Sequence, residues 1–150
     1  MRKALPFNLL IDLAKKESDE AARKLGELNR KSRDIDEKLV LLFRYRQEYQ
    51  SRFDASTREG MSKSVWDNYQ NFMLKLDEAI ELQQQLQTDF AKIVDAGRIE
   101  YQHRLKKLKS FETLAQRHRE REEVIAERRE QKETDDFSSK VYLRRLMEEE

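Results

Sequence analysis

The chain has 150 residues, 37% hydrophobic and 41% charged, with no cysteine and a formal net charge of +1. That polarity leaves too little apolar mass for a compact globule, and so few glycines and prolines argue against a disordered linker. The balanced charge argues against nucleic-acid binding, which needs clustered excess Lys and Arg. The absence of cysteine removes disulfides, thiolate catalysis and cysteine zinc sites.

At the start, Arg2 and Lys3 precede a short apolar run, as in a signal peptide. Asp12 interrupts that run, and Lys15, Lys16 and Glu17 stand where a small-residue cleavage site belongs, so it reads as the first turns of a cytoplasmic helix. No apolar run approaches the length that spans a bilayer, and no direct membrane insertion is expected. Pro6 suits a first helical turn, where its missing N–H costs nothing, which leaves residues 1–5 as a frayed lead-in.

From Phe7 one stripe can be walked in alternating steps of four and three through Ile11, Ala14, Ser18, Ala21, Leu25, Leu28, Ser32, Ile35, Leu39, Leu42, Arg46 and Tyr49 to Phe53. This spacing keeps one face of a helix against a partner helix. Ser18, Ser32 and Arg46 are its weak points. The helix is predicted over about residues 6–58. Between Leu39 and Phe53, Val40, Leu41, Phe43 and Tyr45 widen the apolar surface. This is either a fatter core near the chain reversal or a patch for a partner.

Gly60 can adopt the left-handed conformation that closes a helix. Ser62 and Ser64 can each cap the next one, Ser64 in a capping-box arrangement with Asp67. A turn over 59–63 therefore reverses the chain. The second helix is predicted over about 64–136, with a stripe running from Trp66 through Tyr69, Met73, Leu76, Ile80, Gln83, Gln87, Phe90, Val94, Gly97, Tyr101, Arg104, Leu108 and Phe111 to Ala115. Phe72, Ala79, Leu86 and Ile93 lie beside it and should thicken the seam. Folding about Gly60 sets residue i opposite about 122 − i, pairing Phe53 with Tyr69, Tyr49 with Met73, Leu42 with Ile80 and Leu28 with Val94. Beyond Ala115 the apolar content collapses, so the helix should overhang, and the run Thr134 to Ser139 should end it ahead of a flexible tail, 137–150. The expected fold is all-α, a single two-stranded antiparallel coiled-coil hairpin with an overhanging C-terminal helix.

Catalytic chemistry finds no foothold here. No glycine-rich phosphate loop, His-Glu-x-x-His or Gly-x-Ser-x-Gly motif occurs. His103 and His118 stand about four turns apart on one helix and read as solvated side chains. Tyr101 and Leu108 of the basic run 98–109 fall on the seam, so the run reads as structure. No catalytic residue, cofactor or metal site is expected.

Several segments in order resemble the FliJ family, coiled-coil proteins of the bacterial flagellar type III export apparatus. They are Asp12 to Leu28 with its run Ala21-Ala22-Arg23-Lys24-Leu25-Gly26, then Leu42, Tyr45, Glu48, Tyr49 and Gly60, then Trp66-Asp67-Asn68-Tyr69-Gln70-Asn71-Phe72 with Leu76 and Glu78 to Glu81, and finally Arg129 to Phe137, where Asp136 replaces a Glu. The resemblance implies a rod similar to the central stalk of rotary ATPases, with a part in flagellum assembly and motility. Its implied partners are the export ATPase hexamer, the cytoplasmic domain of the membrane-embedded export gate, and export chaperones. It further implies a cytoplasmic protein held peripherally at the inner membrane. Carried onto this chain, the gate-side residues are Leu42, Tyr45, Tyr49, Phe72, Leu76 and Ala79; Gln83 stands where relatives often carry His. The ATPase-side residues are Leu13, Arg23, Leu25, Arg129, Gln131, Lys132, Asp135 and Asp136. The alternatives are the equivalent stalk of an injectisome and a structural tether unrelated to secretion.

Overall fold

A computed structural model describes residues 5–150; of the expected lead-in 1–5, residues 1–4 lie outside the described residues, and Leu5 already belongs to a helix. Two helices account for nearly all of it, α1 over Leu5–Glu59 and α2 over Lys63–Glu148. α1 ends where Gly60 takes a φ of +97°, with the Gly60 N–H donating to the Thr57 carbonyl at 3.4 Å. An L side chain rarely adopts that φ, so the reversal depends on this glycine.

Of the two candidate caps, Ser62 is the one used. Its Oγ accepts the Val65 N–H at 3.3 Å and its carbonyl accepts the Trp66 N–H at 3.0 Å. Ser64 already lies inside α2, so the expected capping box with Asp67 does not form. α2 also runs on to Glu148, past the expected end near 136 and through the segment read as a tail. The run 134–139 contains neither Gly nor Pro, and nothing in it forbids helical φ and ψ.

The chain divides into two compact units, one formed by Glu17–Arg104 and the other by residues up to Lys16 with Leu105–Glu150. In the first, the two helices form an antiparallel coiled-coil hairpin about the turn. Leu39, Leu76 and Ile80 make its buried cluster, with Leu42 packed against it. The register matches the arithmetic of the turn: Phe53 meets Tyr69 at 5.5 Å between ring centres, while Arg46 reaches Asp77 and Arg104 reaches Glu17. In the second unit, Ala14 and Ala115 are buried and the Phe7 ring stands 5.4 Å from that of His118.

The α1 stripe from Phe7 to Phe53 is buried or half-buried at every position, and the α2 stripe from Tyr69 to Ala115 likewise. Trp66, expected to open the second stripe, is instead exposed, since the α1 residue at its level is Ser56, too short to cover an indole. Phe72, Leu86 and Ile93 do not thicken the seam either; they are exposed, and only Ala79 is half-buried. Gly97 earns its place on the seam, because a Cβ there would lie 2.8 Å from Leu28 Cδ1 and 3.6 Å from Leu25 Cδ1.

The glycines separate backbone need from mere tolerance. A Cβ on Gly60 or Gly26 would meet nothing within 4 Å, but only Gly60 has a positive φ. Gly60→Ala should destabilise the hairpin by about 1–2 kcal/mol through left-handed strain alone. Gly26→Ala should stabilise it by about 0.8–1 kcal/mol through helix propensity. Thermal unfolding of both variants reads the two signs. Spin labels at 42 with 80, and at 28 with 94, should show the short separations that an interaxial distance of roughly 8–10 Å imposes. Separations of many tens of ångströms would indicate intermolecular pairing.

Candidate functional site

Next to the turn, four aromatic rings gather across the seam. Tyr49 stands 4.9 Å from Tyr69 and 4.2 Å from Phe72, and Phe53 is 5.5 Å from Tyr69. Tilted and edge-on arrangements of this kind add about 0.5–1.5 kcal/mol per pair beyond area burial. The six residues expected on the gate side grade outward from this cluster. Leu76 is core at 8% exposure, while Leu42, Tyr49 and Ala79 are half-buried. Phe72 and Tyr45 are 46% and 51% exposed.

Tyr45 and Phe72 share one flank. Each immediately precedes a seam residue, Arg46 or Met73, and in an antiparallel pair the equivalent positions of the two helices lie on the same side. The widened apolar stretch is therefore not a fatter core, because Val40, Leu41, Phe43 and Tyr45 are all exposed. Val40 and Leu41 face away from the seam, with Asp36, Glu37 and Arg44, in a shallow groove along α1 alone. They belong to a different surface from Tyr45 and Phe72.

The polar residues that interrupt the stripes bridge the two helices. Gln83 Nε2 donates to the Ile35 carbonyl at 3.0 Å, and Gln87 Nε2 donates to Asp36 Oδ1 at 2.7 Å. Arg46 Nε donates to Asp77 at 2.5 Å, and Arg104 donates to Glu17 at 2.9 Å and Glu100 at 2.7 Å. The hydrogen bond that Arg46 donates to Asp77, followed by the charge of Asp77, raises the Arg46 pKa, and Glu100 acts similarly on Arg104. Ser18 is 4% exposed on the seam. Spacing alone marks these positions as weak; their value appears only when the partner helix is in place.

The residues expected on the ATPase side fall in both units. Leu13 is exposed in the unit that also contains Arg129, Gln131, Lys132, Asp135 and Asp136, whereas Arg23 and Leu25 belong to the other unit. Even within one unit, Leu13 sits opposite the level of Lys109, about 30 Å of helix short of Arg129 at 1.5 Å per residue. Arg23 is exposed and Leu25 is half-buried on the seam. From Arg119 to Lys140 every side chain is exposed, and Gln131 Nε2 donates to Asp135 along the same helix at 3.2 Å.

His118, expected to be solvated, is half-buried against Phe7 and extends the seam one step past Ala115. Continuing the step of three from Ala115 would have found it. Among the described residues no group of three His, Asp or Glu side chains is placed to hold a metal ion. No described helix is long and apolar enough to cross a membrane.

Comparison with known proteins gives consistent matches over nearly the whole chain. The profile of a family described as Flagellar FliJ protein matches residues 2–147. The flagellar FliJ protein of Salmonella typhi is 32% identical over 136 residues, which cover 91% of this chain and 92% of that protein. The flagellar FliJ protein of Escherichia coli strain K12 is 30% identical over 136 residues, with the same coverage of 91% and 92%.

Because residues beyond Arg119 face no other helix among the described residues, removing 128–150 should leave the seam intact. The truncated chain should keep a single cooperative thermal transition, shifted by less than about 3 °C. Loss of cooperativity in circular dichroism would instead place this segment in the core.

Proposed function

The chain belongs to the FliJ family of flagellar proteins, and on that premise we propose that it works in flagellar protein export as a stalk-like coiled-coil hairpin. It binds the export ATPase hexamer, couples it to the cytoplasmic domain of a membrane-embedded export gate, and assists the cycling of export chaperones. It does so in the cytoplasm, held peripherally at the inner membrane of the flagellar base, and by binding and not by catalysis. Support for the stalk reading comes from the division of the surface. The charged, exposed segment 119–140 offers polar contacts and little apolar adhesion, which suits a helix enclosed by a moving ring. The polar run Arg129, Gln131, Lys132, Asp135 and Asp136 lies within it.

The observation that carries the gate assignment is the half-exposed pair Tyr45 and Phe72 on one flank, backed by Tyr49 on the seam. Aromatic side chains present large area at low entropy cost and anchor interfaces. The hairpin itself does not require them there, since the buried cluster of Leu39, Leu76 and Ile80 lies beside them.

Tyr45→Ala and Phe72→Ala should each lower stability by about 1 kcal/mol or less, Phe72 through its ring contact with Tyr49. Each should weaken binding of the gate's cytoplasmic domain by about 2 kcal/mol, roughly thirtyfold, and reduce flagellar export. Leu76→Ala serves as the contrast, costing about 2–4 kcal/mol of stability as a core truncation. Paired measurements of thermal melting, gate binding and swimming separate these outcomes. Stable, fully export-competent Tyr45 and Phe72 variants would leave the hairpin as a plain tether.

A further inference from the structure

The flank that carries Tyr45 and Phe72 continues well past Ala79. Val65, Phe72, Ala79, Leu86 and Ile93 recur at intervals of seven along α2, so they stand in one line beside the seam. Four of them are 43–48% exposed once α1 has packed, Ala79 being half-buried. Their seam neighbours Met73, Leu76, Ile80 and Val94 are buried by α1. The line is therefore surplus to the two-helix core, and from Phe72 to Ile93 it extends about 30 Å.

The facing wall belongs to α1. Lys24, Lys31 and Lys38 precede the seam residues Leu25, Ser32 and Leu39 as Tyr45 precedes Arg46, which puts all four on the same flank. The structure shows the pairing directly at one end, where Lys24 lines the same indentation as Ile93, Ala96 and Gly97. Among the described residues these three lysines form no ion pair, in contrast to Arg46 and Arg104. Glu20, Glu27 and Asp34 stand one row farther round α1, and Glu17 and Glu100 close the groove where both bind Arg104. Small residues Ala21, Ala96 and Gly97 leave a dent beside Ile93 with room for a large side chain.

We infer that this groove, built from Leu86 and Ile93 against Lys24, Lys31 and Lys38, binds one amphipathic helix of a partner protein, apolar on one face and acidic along one edge. The sevenfold spacing of both walls selects a helix, because only a helix repeats its contacts at that interval along a straight groove. The apolar wall takes its hydrophobic face. The unpaired lysine row selects acidic residues on the edge that lies over α1. The site shares no residue with the Tyr45 and Phe72 assignment, so either can fail without the other.

The test uses two fluorescein-labelled peptides of about three heptads each, with leucine at both core positions and either glutamate or lysine along one edge. Titrated with the full chain and read by anisotropy, the glutamate-edged peptide should bind at least about tenfold more tightly than the lysine-edged one. Leu86→Glu combined with Ile93→Glu should weaken it by a further factor of about ten or more. Reversing the three lysines to glutamate should invert the preference. Leu74→Glu, 60% exposed on another face, should change nothing, and circular dichroism melts confirm that each variant folds. Equal binding of the two peptides, or indifference to Leu86→Glu with Ile93→Glu, overturns the proposal. So does sedimentation of the chain alone as a dimer that those two substitutions dissolve, which would give the groove to a second copy.

Discussion

Two helices can cover only one stripe of each other, and every other property of this chain follows from how narrow that stripe is. Among the described residues the buried apolar set consists of Ala14, Leu39, Met73, Leu76, Ile80, Val94 and Ala115. Side chains such as Leu28, Tyr49 and Phe90 are only half-covered. An apolar seam of that kind, repeating every seven residues, would hold nearly as well after sliding by one repeat. The polar residues remove this degeneracy. Arg104 reaches Glu17 in one register only, since a slip by one repeat would set Leu10 or Lys24 in its place, and losing that part-buried hydrogen bond would cost roughly 1 kcal/mol. Exposed ion pairs such as Arg46 with Asp77 contribute little to stability, but their loss on slipping acts in the same direction.

The turn supplies the other half of the register. Gly60 fixes where α1 stops and the Ser62 cap fixes where α2 starts. The two stripes then meet in a phase that neither helix sets alone. α2 is also longer than α1, 86 residues against 55. Its far part has nothing to bury against among the described residues, and from 119 to 140 every side chain is exposed. Composition and architecture agree here, since a helix without a neighbour stays soluble only if its surface is charged.

The seam was legible because it obeys one rule, and the same rule reaches one step past Ala115, to His118. The hairpin and its register were legible because a single glycine breaks a long periodic run. Local competition was not. Ser62 and Ser64 are equally good caps by residue type, and only the geometry of the turn chooses between them. Nor did composition mark the end of α2, because Asp, Thr and Ser weaken a helix without stopping it. The gate-side residues could be listed from resemblance, but their grading from Leu76 in the core to Tyr45 outside needs the partner helix in place. The ATPase-side residues were listed in the same way, and distance along the helices keeps Leu13 from Arg129. Spacing also could not say whether Phe72, Leu86 and Ile93 thicken the seam or remain outside it. A position next to the stripe is covered only as far as the facing flank residue reaches over it, and those residues are Tyr45 beside Phe72 and Lys24, Lys31 and Lys38 beside Leu86 and Ile93.

That last point separates folding from recognition in a coiled coil. Seam positions are committed: a change at Leu76 or Ile80 is felt first as stability, whatever else it does. Positions on the outer faces, such as Leu74 or Ile99, are exposed without an apolar side chain three or four residues away that is longer than alanine, and isolated apolar residues there carry no message. Between the two lies the flanking row, close enough to the seam to be held rigidly and far enough to face solvent. An apolar residue there gains part of its burial from the hairpin and leaves the rest available to a third helix. On this chain that row is apolar on α2 over Val65 to Ile93 and cationic on α1 over Lys24 to Lys38. The same residues on the opposite flank are Asp36, Phe43 and Gln50 of α1 with Asp77, Gln84 and Ala91 of α2, without a repeated apolar line. The hairpin is thus two-faced although its fold is not, and only one of its sides offers a surface that folding leaves unfinished.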